Sequence, residues 1–557
     1  MIQQSPSLKT SPSKTLRHLG LLALGIVVTV RLLTLGFPDL VDTTEGRYAG
    51  VAQLMLSRGD WVTPWIDFHG EVKPYLGKPP LHFWLEQISF LVLGQNSFAA
   101  RLPSLLSGIG IVLTLGLGLS ALVGMESALV GATVLATSCL MYFLSGAVVL
   151  DVTLTLGITV ALVSFLLAHK YKIARYTFFV GMALGVLVKG PLATVLVGAT
   201  IIPWLAVYRL RSKSWPEQVT AIPWFKGILL FFVIVLPWYI WAEIRNPGFL
   251  EYFLWNENFG RYLKSDYGDE YGSGHRQPFG ACLGMMLLAC FPWSLIGAFV
   301  LATKRKQVFQ RDIFNQLFEQ PLTVYALAWS LSCPILLLGA RQYTGTYLLP
   351  SVPGFAFLIG VIWHSAIIKG RELDSRVTSI LSVSVKILAI VTIGLTLGTL
   401  FFQASVLWIA PLVLLQIVLI VWLLQNRTSS PYGLILSLGI ITSLLYGGAT
   451  LGLDNYLSEN RSAKRILLAA QSLPHSSDGT VCLFFPYKPP FSASFYSATL
   501  QTPSITVISN EDTTDSISLC PYVVARLKDK DVPRIYREIG ELQEIRRIGR
   551  WRIFRRG

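Results

Sequence analysis

The sequence predicts an all-α polytopic membrane protein of about thirteen transmembrane helices, with a small α/β domain at its C-terminal end. Three observations predict it. Of 557 residues, 53% are hydrophobic and 14% charged, against about 25% charged in a soluble domain. Apolar stretches long enough to cross a bilayer, roughly 20 residues each, recur along most of the chain. From Asp454 the pattern changes to short alternating runs typical of strands.

The N-terminal tail, 1–18, is polar and rich in Ser and Lys. The apolar run at 19–37 is long for a signal-peptide core and has no small-residue cleavage site, so it is read as a retained helix. Further spans are expected near 98–120, 126–146, 152–169, 177–190, 191–208, 225–243, 278–302, 321–340, 347–367, 377–401, 405–425 and 432–452. Lys189, Gly190 and Pro191 interrupt the fifth and sixth.

Short basic loops set the orientation. Lys9, Lys14 and Arg17 precede the first span; Lys170, Lys172 and Arg175 follow the fourth; Arg209, Arg211 and Lys213 follow the sixth. Lys304, Arg305 and Lys306 follow the eighth, and Lys369 and Arg371 the tenth. All fall on one side, which the positive-inside rule makes cytoplasmic. The net charge of +15 thus belongs to membrane loops, and nucleic-acid binding is not expected. The membrane domain is 19–452, multi-pass in the plasma (inner) membrane. Two loops, 38–97 and 244–277, and the C-terminal domain, 453–557, face outward.

In that C-terminal domain VCLFF (481–485), SITVIS (504–509), YVVARL (522–527) and WRIFR (551–555) read as strands, and VPRIYREIGELQEI (532–545) has a helical period. Cys482 and Cys520 are able to pair if the domain is exported. Cys139, Cys282, Cys290 and Cys333 lie in apolar runs and read as small core residues.

The first outer loop carries most of the candidate chemistry. Tyr48, Val51, Ala52, Met55 and Leu56 form the stripe of an amphipathic helix over 45–56, with Gly59 as its stop. Asp42, Thr43, Thr44 and Glu45 fit a capping box, so Asp42 and Glu45 are either caps or functional carboxylates. A second helix opens at Lys78, Pro79 and Pro80, with Leu81, Trp84, Leu85 and Ile88 as its apolar stripe. Such helices lie along a membrane surface. Lys78 then stands at the depth of a lipid phosphate, or is an ordinary snorkelling lysine. Asp151 lies at the outer mouth of the fourth span, as a helix cap or a functional carboxylate. Lys189 closes the fifth span, where a phosphate or carboxylate is within reach. His275 and Arg276 stand just before the eighth, and a lone His there is more often structural than a metal ligand.

Eight motifs in order then carry a resemblance: EGRYAGVAQLMLSRGDWVTP (45–64), KPPLHFW (78–84), RLPSLL (101–106), LDVTLTL (150–156), KGP (189–191), ENFGRYL (257–263), HRQPFG (275–280) with PW (292–293), and TYLLPSVPGFA (346–356). The chain resembles the GT-C glycosyltransferases that use polyprenyl-phosphate sugars. It looks closest to the branch of the bacterial lipid A aminoarabinose transferase and the relatives of protein O-mannosyltransferases. The resemblance implies that a sugar leaves an undecaprenyl-phosphate-type donor, with inversion, for a lipid, glycan or protein acceptor on the periplasmic face. It implies a base among Glu45, Asp42 and Asp151, and phosphate contacts from Lys78, with Arg276, Tyr347 and Lys189 beside it. The motifs fix no cofactor; a divalent metal ion at His275 is the candidate. Two departures bear on this. Thr44 stands where the usual motif has Asp, and Gly77 where the aminoarabinose branch often has a Glu that shares a metal with the later His. A multi-span lipid or glycan transporter and an O-antigen-ligase-like protein are the competing readings.

Overall fold

The computed structural model describes residues 14–68, 71–260, 268–269, 272–273, 276–303, 320–340, 342–368, 375–402, 417, 421, 430–473, 481–484, 490–500, 505–508, 521–527 and 542–556. The expected spans fall on helices, except that 405–425 lies almost wholly outside the described residues. In chain order these are α1 (Lys14–Leu33), α2 (Thr44–Arg58), α3 (Leu81–Leu93), α4 (Ser97–Val123), α5 (Met125–Ala136), α6 (Cys139–Leu144), α7 (Leu150–Leu167), α8 (Lys172–Lys189), α9 (Leu192–Ser212), α10 (Glu217–Ala221) and α11 (Trp224–Arg245). A short α12 (Phe249–Glu251) runs into a π-helical stretch, Tyr252–Gly260. Then come α13 (Ala281–Ala289), α14 (Trp293–Thr303), α15 (Pro321–Leu338), a 3-10 turn (Gly345–Ser351), α16 (Val352–Ile368), α17 (Ser375–Phe402) and α18 (Pro431–Gly452).

Among the described residues eight helices are long and apolar enough to cross a membrane, and the pair α13–α14 makes a ninth candidate bent by 104°. That bend departs from the single span expected over 278–302. Pro292 sits at the break, where its ring removes a backbone donor and ends the helix. The span expected over 126–146 is likewise broken, into α5 and α6.

The helices differ in how much of their surface is covered. The span windows of α7 and α18 are 78% buried, those of α11 and α17 only 28%. A helix that is apolar all round yet mostly uncovered is stable only where lipid takes the place of water. So α7 and α18 are central and α11 and α17 peripheral. Close approach at the centre rests on small residues: a Cβ added at Gly157 on α7 would stand 2.7 Å from the Gly181 carbonyl of α8. The α8–α9 hairpin turns at Gly190, whose φ of +73° suits glycine.

The helices of the first loop are more enclosed than their sequences suggest. α2 buries the expected Tyr48, Val51, Ala52 and Met55, but also Gly46 and Gln53 on its opposite side. It ends at Gly59 in the left-handed region, as expected. α3 is arranged inside out. It buries His82, Glu86, Gln87 and Ser89 with Phe83 and Phe90, while Ile88 is exposed and Leu81, Trp84 and Leu85 are half-buried. Its apolar stripe is therefore the outward face, and its polar residues turn into the protein. Between α2 and α3 the antiparallel hairpin β1 (Trp65–Phe68) and β2 (Glu71–Pro74) pairs Trp65 with Pro74. A two-residue pair, β3 (Gly268–Asp269) and β4 (Gly272–Ser273), lies in the second loop.

The C-terminal part is α/β, as expected. It holds α19 (Asp454–Arg461), α20 (Lys464–Gln471), β5 (Val481–Phe484), α21 (Phe491–Thr499), β6 (Ile505–Ile508), β7 (Tyr522–Arg526), β8 (Leu542–Ile548) and β9 (Trp551–Arg556). The sheet order is β6-β5-β7-β9-β8, parallel across β6, β5 and β7 and antiparallel from β7 onward. The helix read over 532–545 is corrected at its end. Leu542, Gln543, Glu544 and Ile545 lie in β8, because a turn at Gly549 and Arg550 folds this segment back on β9 and ladder pairing outweighs helical period. The earlier part of that run lies outside the described residues. Cys482 is in a disulfide, Cys139, Cys282, Cys290 and Cys333 are free thiols, and Cys520 lies outside the described residues.

Both loops and the C-terminal part gather at one end of the bundle. The Leu40 N–H donates to the Tyr496 hydroxyl at 2.8 Å, and Lys464 pairs with Asp39 at 2.8 Å. Across the loops, Trp238 Nε1 donates to the Val62 carbonyl at 3.0 Å and Arg245 pairs with Asp60 at 3.0 Å.

Candidate active site

The start of α2 holds two carboxylates with different surroundings. Neither Asp42 nor Thr43 caps the helix through its side chain, so the capping box is not formed as expected. Glu45 instead meets Arg101 of α4 in a forked pair, Nε to Oε1 and Nη2 to Oε2, both at 2.8 Å. Its oxygens also accept the backbone N–H groups of Val41 and Val148, each at 3.0 Å. Burial alone would push this carboxyl up. Arg101 and the two N–H groups outweigh it and hold Glu45 below the usual carboxylate range. Arg101, 1% exposed, also donates to the carbonyls of Leu35 (3.0 Å) and Pro38 (2.6 Å). This knot ties the entry of the first loop to the turn that precedes α7.

Asp42 points to the C-terminal part. Its oxygens accept the N–H and the hydroxyl of Ser492, each at 2.8 Å, and Arg526 stands 3.9 Å away. Burial raises its pKa to about 6, with the Ser492 bonds and Arg526 working against the rise.

Lys78 lies just before α3, buried at 8% exposure. Its ammonium donates to the Gly77 carbonyl at 2.7 Å and pairs with Glu257 of the π-helical stretch. A snorkelling lysine reaches for water; this one is turned inward onto a carboxylate. Asp151, in the first turn of α7, pairs with Lys189 at the end of α8 at 2.7 Å. Among the described residues Lys189 is the one hydrogen-bonding partner of the Asp151 carboxylate. The Lys189 ammonium lies 4.0 Å from the ring centre of Tyr347, a cation–π contact. The two lysine pairs are joined by the second loop: Asn258, beside Glu257, comes within 3.7 Å of where a Cβ of Gly190 would be.

A buried tie links the helices that carry these lysines and acids. His82, one turn after Lys78, meets the Thr153 hydroxyl of α7 at 2.9 Å, and Thr153 meets Ser107 of α4 at 3.1 Å. Glu86 is 3.4 Å from the other His82 nitrogen, and no donor reaches its oxygens in bonding geometry among the described residues. Burial pushes Glu86 up, with His82 opposing.

The structure thus brings Lys78, Asp151, Lys189 and Tyr347 into one neighbourhood and sets Glu45 and Asp42 in separate supporting knots. Arg276 is exposed, and its backbone bridges Gln342, five residues before Tyr347. His275 lies outside the described residues. Gly77 offers no side chain, Glu257 is engaged by Lys78, and among the described residues no group of three His, Cys, Asp or Glu gathers. Arg101, Glu257, His82 and Ser492 are the partners that sequence reasoning missed. Arg101 and His82 sit inside motifs whose order was noticed, and a buried Arg or His in an apolar run was the available signal.

Residues 21–253 match the family described as Dolichyl-phosphate-mannose-protein mannosyltransferase. The Undecaprenyl phosphate-alpha-4-amino-4-deoxy-L-arabinose arabinosyl transferase of Erwinia tasmaniensis is 28% identical over 354 residues, which is 60% of this chain and 57% of that protein. The protein so named from Pectobacterium carotovorum is 28% identical over 378 residues, 65% of this chain and 63% of its own length. The chain therefore spans about three fifths of the length of these curated relatives. The crystal structure of ArnT from Cupriavidus metallidurans bound to undecaprenyl phosphate shares the fold with a TM-score of 0.72 at 19% identity, over 96% of this chain and 97% of that one. A sequence match through the first membrane helices and a fold shared almost end to end identify the chain as a GT-C-fold membrane protein resembling the polyprenyl-phosphate sugar transferases.

Proposed function

We propose that the protein is a membrane glycosyltransferase. It moves a sugar from a polyprenyl phosphate of the undecaprenyl-phosphate type to a lipid-type acceptor, with inversion, at the outer face of the plasma (inner) membrane. One observation carries the reading: the stretch that matches the mannosyltransferase family, 21–253, is the stretch that bears Lys78, Asp151 and Lys189.

The chemistry follows from the two lysine pairs. An acceptor hydroxyl attacks the anomeric carbon and gives its proton to Asp151. The bond from that carbon to the phosphate oxygen breaks, and its electron pair stays on the phosphate. Lys78 and Lys189 meet the growing negative charge, with Tyr347 beside Lys189 and Arg276 as an outer contact. As Lys189 turns to the phosphate, the Asp151 carboxylate is released from its pair and is free to accept the proton. In this reading Glu45 fixes the turn before α7, and Asp42 holds the C-terminal domain, 453–557, as an outward-facing support.

The test is transfer by the purified protein in lipid vesicles, using synthetic undecaprenyl-phosphate sugars and membrane-lipid extract. Radiolabel moving from donor to the lipid fraction, and lost in Asp151→Asn, supports the reading. Donor sugars that stay intact with all extracts, alongside unchanged outer-face lipids and glycans by mass spectrometry of cells lacking the gene, overturn it.

A further inference from the structure

A cavity of about 390 Å³ lies between α2, β1 and α21, within the size range of small-molecule sites. It is not the neighbourhood of the lysine pairs. Tyr48, Ala52 and Met55 fill the bundle side of α2, whereas Gly46, Gly50, Gln53 and Ser57, three or four residues apart, line the cavity on the opposite side. The helix itself separates the two.

Its lining points to one class of ligand. There is one cation, Arg47, and one carboxylate, Asp67, so the charges offset and a polyanion is not favoured. Of the other twelve lining residues five bring a hydroxyl or amide, Ser494 and Ser497 from α21 and Gln53, Ser57 and Gln95 from the membrane part, and seven are apolar or glycine. Gln53 is already oriented, its amide donating to Gln95 at 2.8 Å and to the Phe495 carbonyl at 3.2 Å. Phe491 offers an aromatic face, with the Arg47 guanidinium 5.8 Å from its centre. At Gly50 a Cβ would meet no atom within 4 Å, so the glycine leaves the floor open. Vicinal hydroxyls want mixed donors and acceptors, and the C–H face of a sugar ring wants an aromatic or apolar floor.

We infer that this cavity is a saccharide-binding site, distinct from the reaction centre, which holds a sugar-bearing group of the acceptor between the membrane part and the C-terminal domain. Its link to an acceptor rests on the glycosyl-transfer reading; its ligand class does not. Arg47, which also stacks on Tyr48 at 5.0 Å, would touch both sides of α2.

The experiment is saturation-transfer NMR on the full chain in a sugar-free detergent, with maltose, lactose and N-acetylchitobiose as probes. At least one is expected to bind in the millimolar range. Gly50→Leu, whose Cβ would meet no atom within 4 Å, should weaken that binding at least tenfold while leaving the unfolding temperature in place. Asp67→Asn is the second variant, expected to weaken it severalfold without changing side-chain shape. Lys189→Ala should bind the disaccharide as wild type does. No binding by any probe, or wild-type binding in both Gly50→Leu and Asp67→Asn, overturns the site. Disaccharide binding without sugar transfer would keep the site and remove the transferase reading; transfer without binding would do the reverse.

Discussion

The carboxylates at the start of α2 and those at the lysine pairs are equally buried but differently held. Glu45 takes four fixed donors from Arg101, Val41 and Val148. Asp42 takes two from Ser492. Such groups have little left to offer a substrate, and removing a partner leaves an uncompensated charge. The Asp151 carboxylate, by contrast, faces one lysine on a flexible stem. In the proposed reaction such a lysine leaves its carboxylate for the incoming phosphate without unfolding anything. In the proposed reaction the saturation of a buried carboxylate, more than its burial, is what would separate scaffold from chemistry.

The strongest way to break this comparison is at Arg101. Arg101→Ala strands Glu45 inside the protein and should cost about 3–5 kcal/mol of stability, read as a large fall in unfolding temperature in detergent. Pairing it with Glu45→Gln should restore part of that loss. A Glu45→Gln protein that is as stable as wild type but inactive would move Glu45 from scaffold to chemistry.

Lys78 should show the opposite behaviour. Lys78→Ala is expected to lower the transfer rate on the order of 100- to 1000-fold, the loss typical of one contact to a developing anion. Adding Glu257→Gln should recover stability but not rate, and Lys78→Arg should recover only part of the rate. Lys73→Ala, whose ammonium lies over the Phe68 ring in the β-hairpin, is the control and should transfer normally. Near-normal transfer by Lys78→Ala would leave the lysine with a packing role.

The Asp42 clamp gives a pH dependence of defined sign. Its folded pKa, about 6, lies above the ordinary 3.8. The folded state therefore holds this proton more tightly. The stabilisation is fully present below the ordinary value and is lost as pH rises through about 6, a span of about 3 kcal/mol at most. Limited proteolysis between the membrane part and the C-terminal domain should be slower at pH 5 than at pH 7. Asp42→Asn should flatten that difference; a profile of unchanged slope would show that another group sets it. The smallest effect is expected from Ser492→Ala, which removes one hydroxyl bond to Asp42 and should cost about 1 kcal/mol, measured by the same proteolysis at pH 7.

Much of this was readable from residue order. Most span positions, the α2 stripe with its Gly59 stop and four of the five strands of the large sheet follow from local period and composition, which neighbouring residues alone express. Cys482 is in a disulfide, which the sequence left open because pairing depends on whether the domain is exported. Lys78, Asp151 and Lys189 stood out because a charge beside an apolar span needs a reason. What local pattern left open was the company each charge keeps. Asp42 and Glu45 are three residues apart and share one capping motif, yet one binds Ser492, 450 residues away, and the other Arg101, 56 residues away. The polar face of α3 was readable, but not that it turns inward while the apolar stripe turns out; that depends on whether water or lipid lies outside the helix. β8 was read as helix because its pairing partner β9 lies beyond the window of any helical period. Composition and period set where the chain is helical and which stretches suit a membrane. Only the packing of distant segments decided which buried charges are saturated and which remain able to exchange partners, because that depends on donors brought together from across the fold.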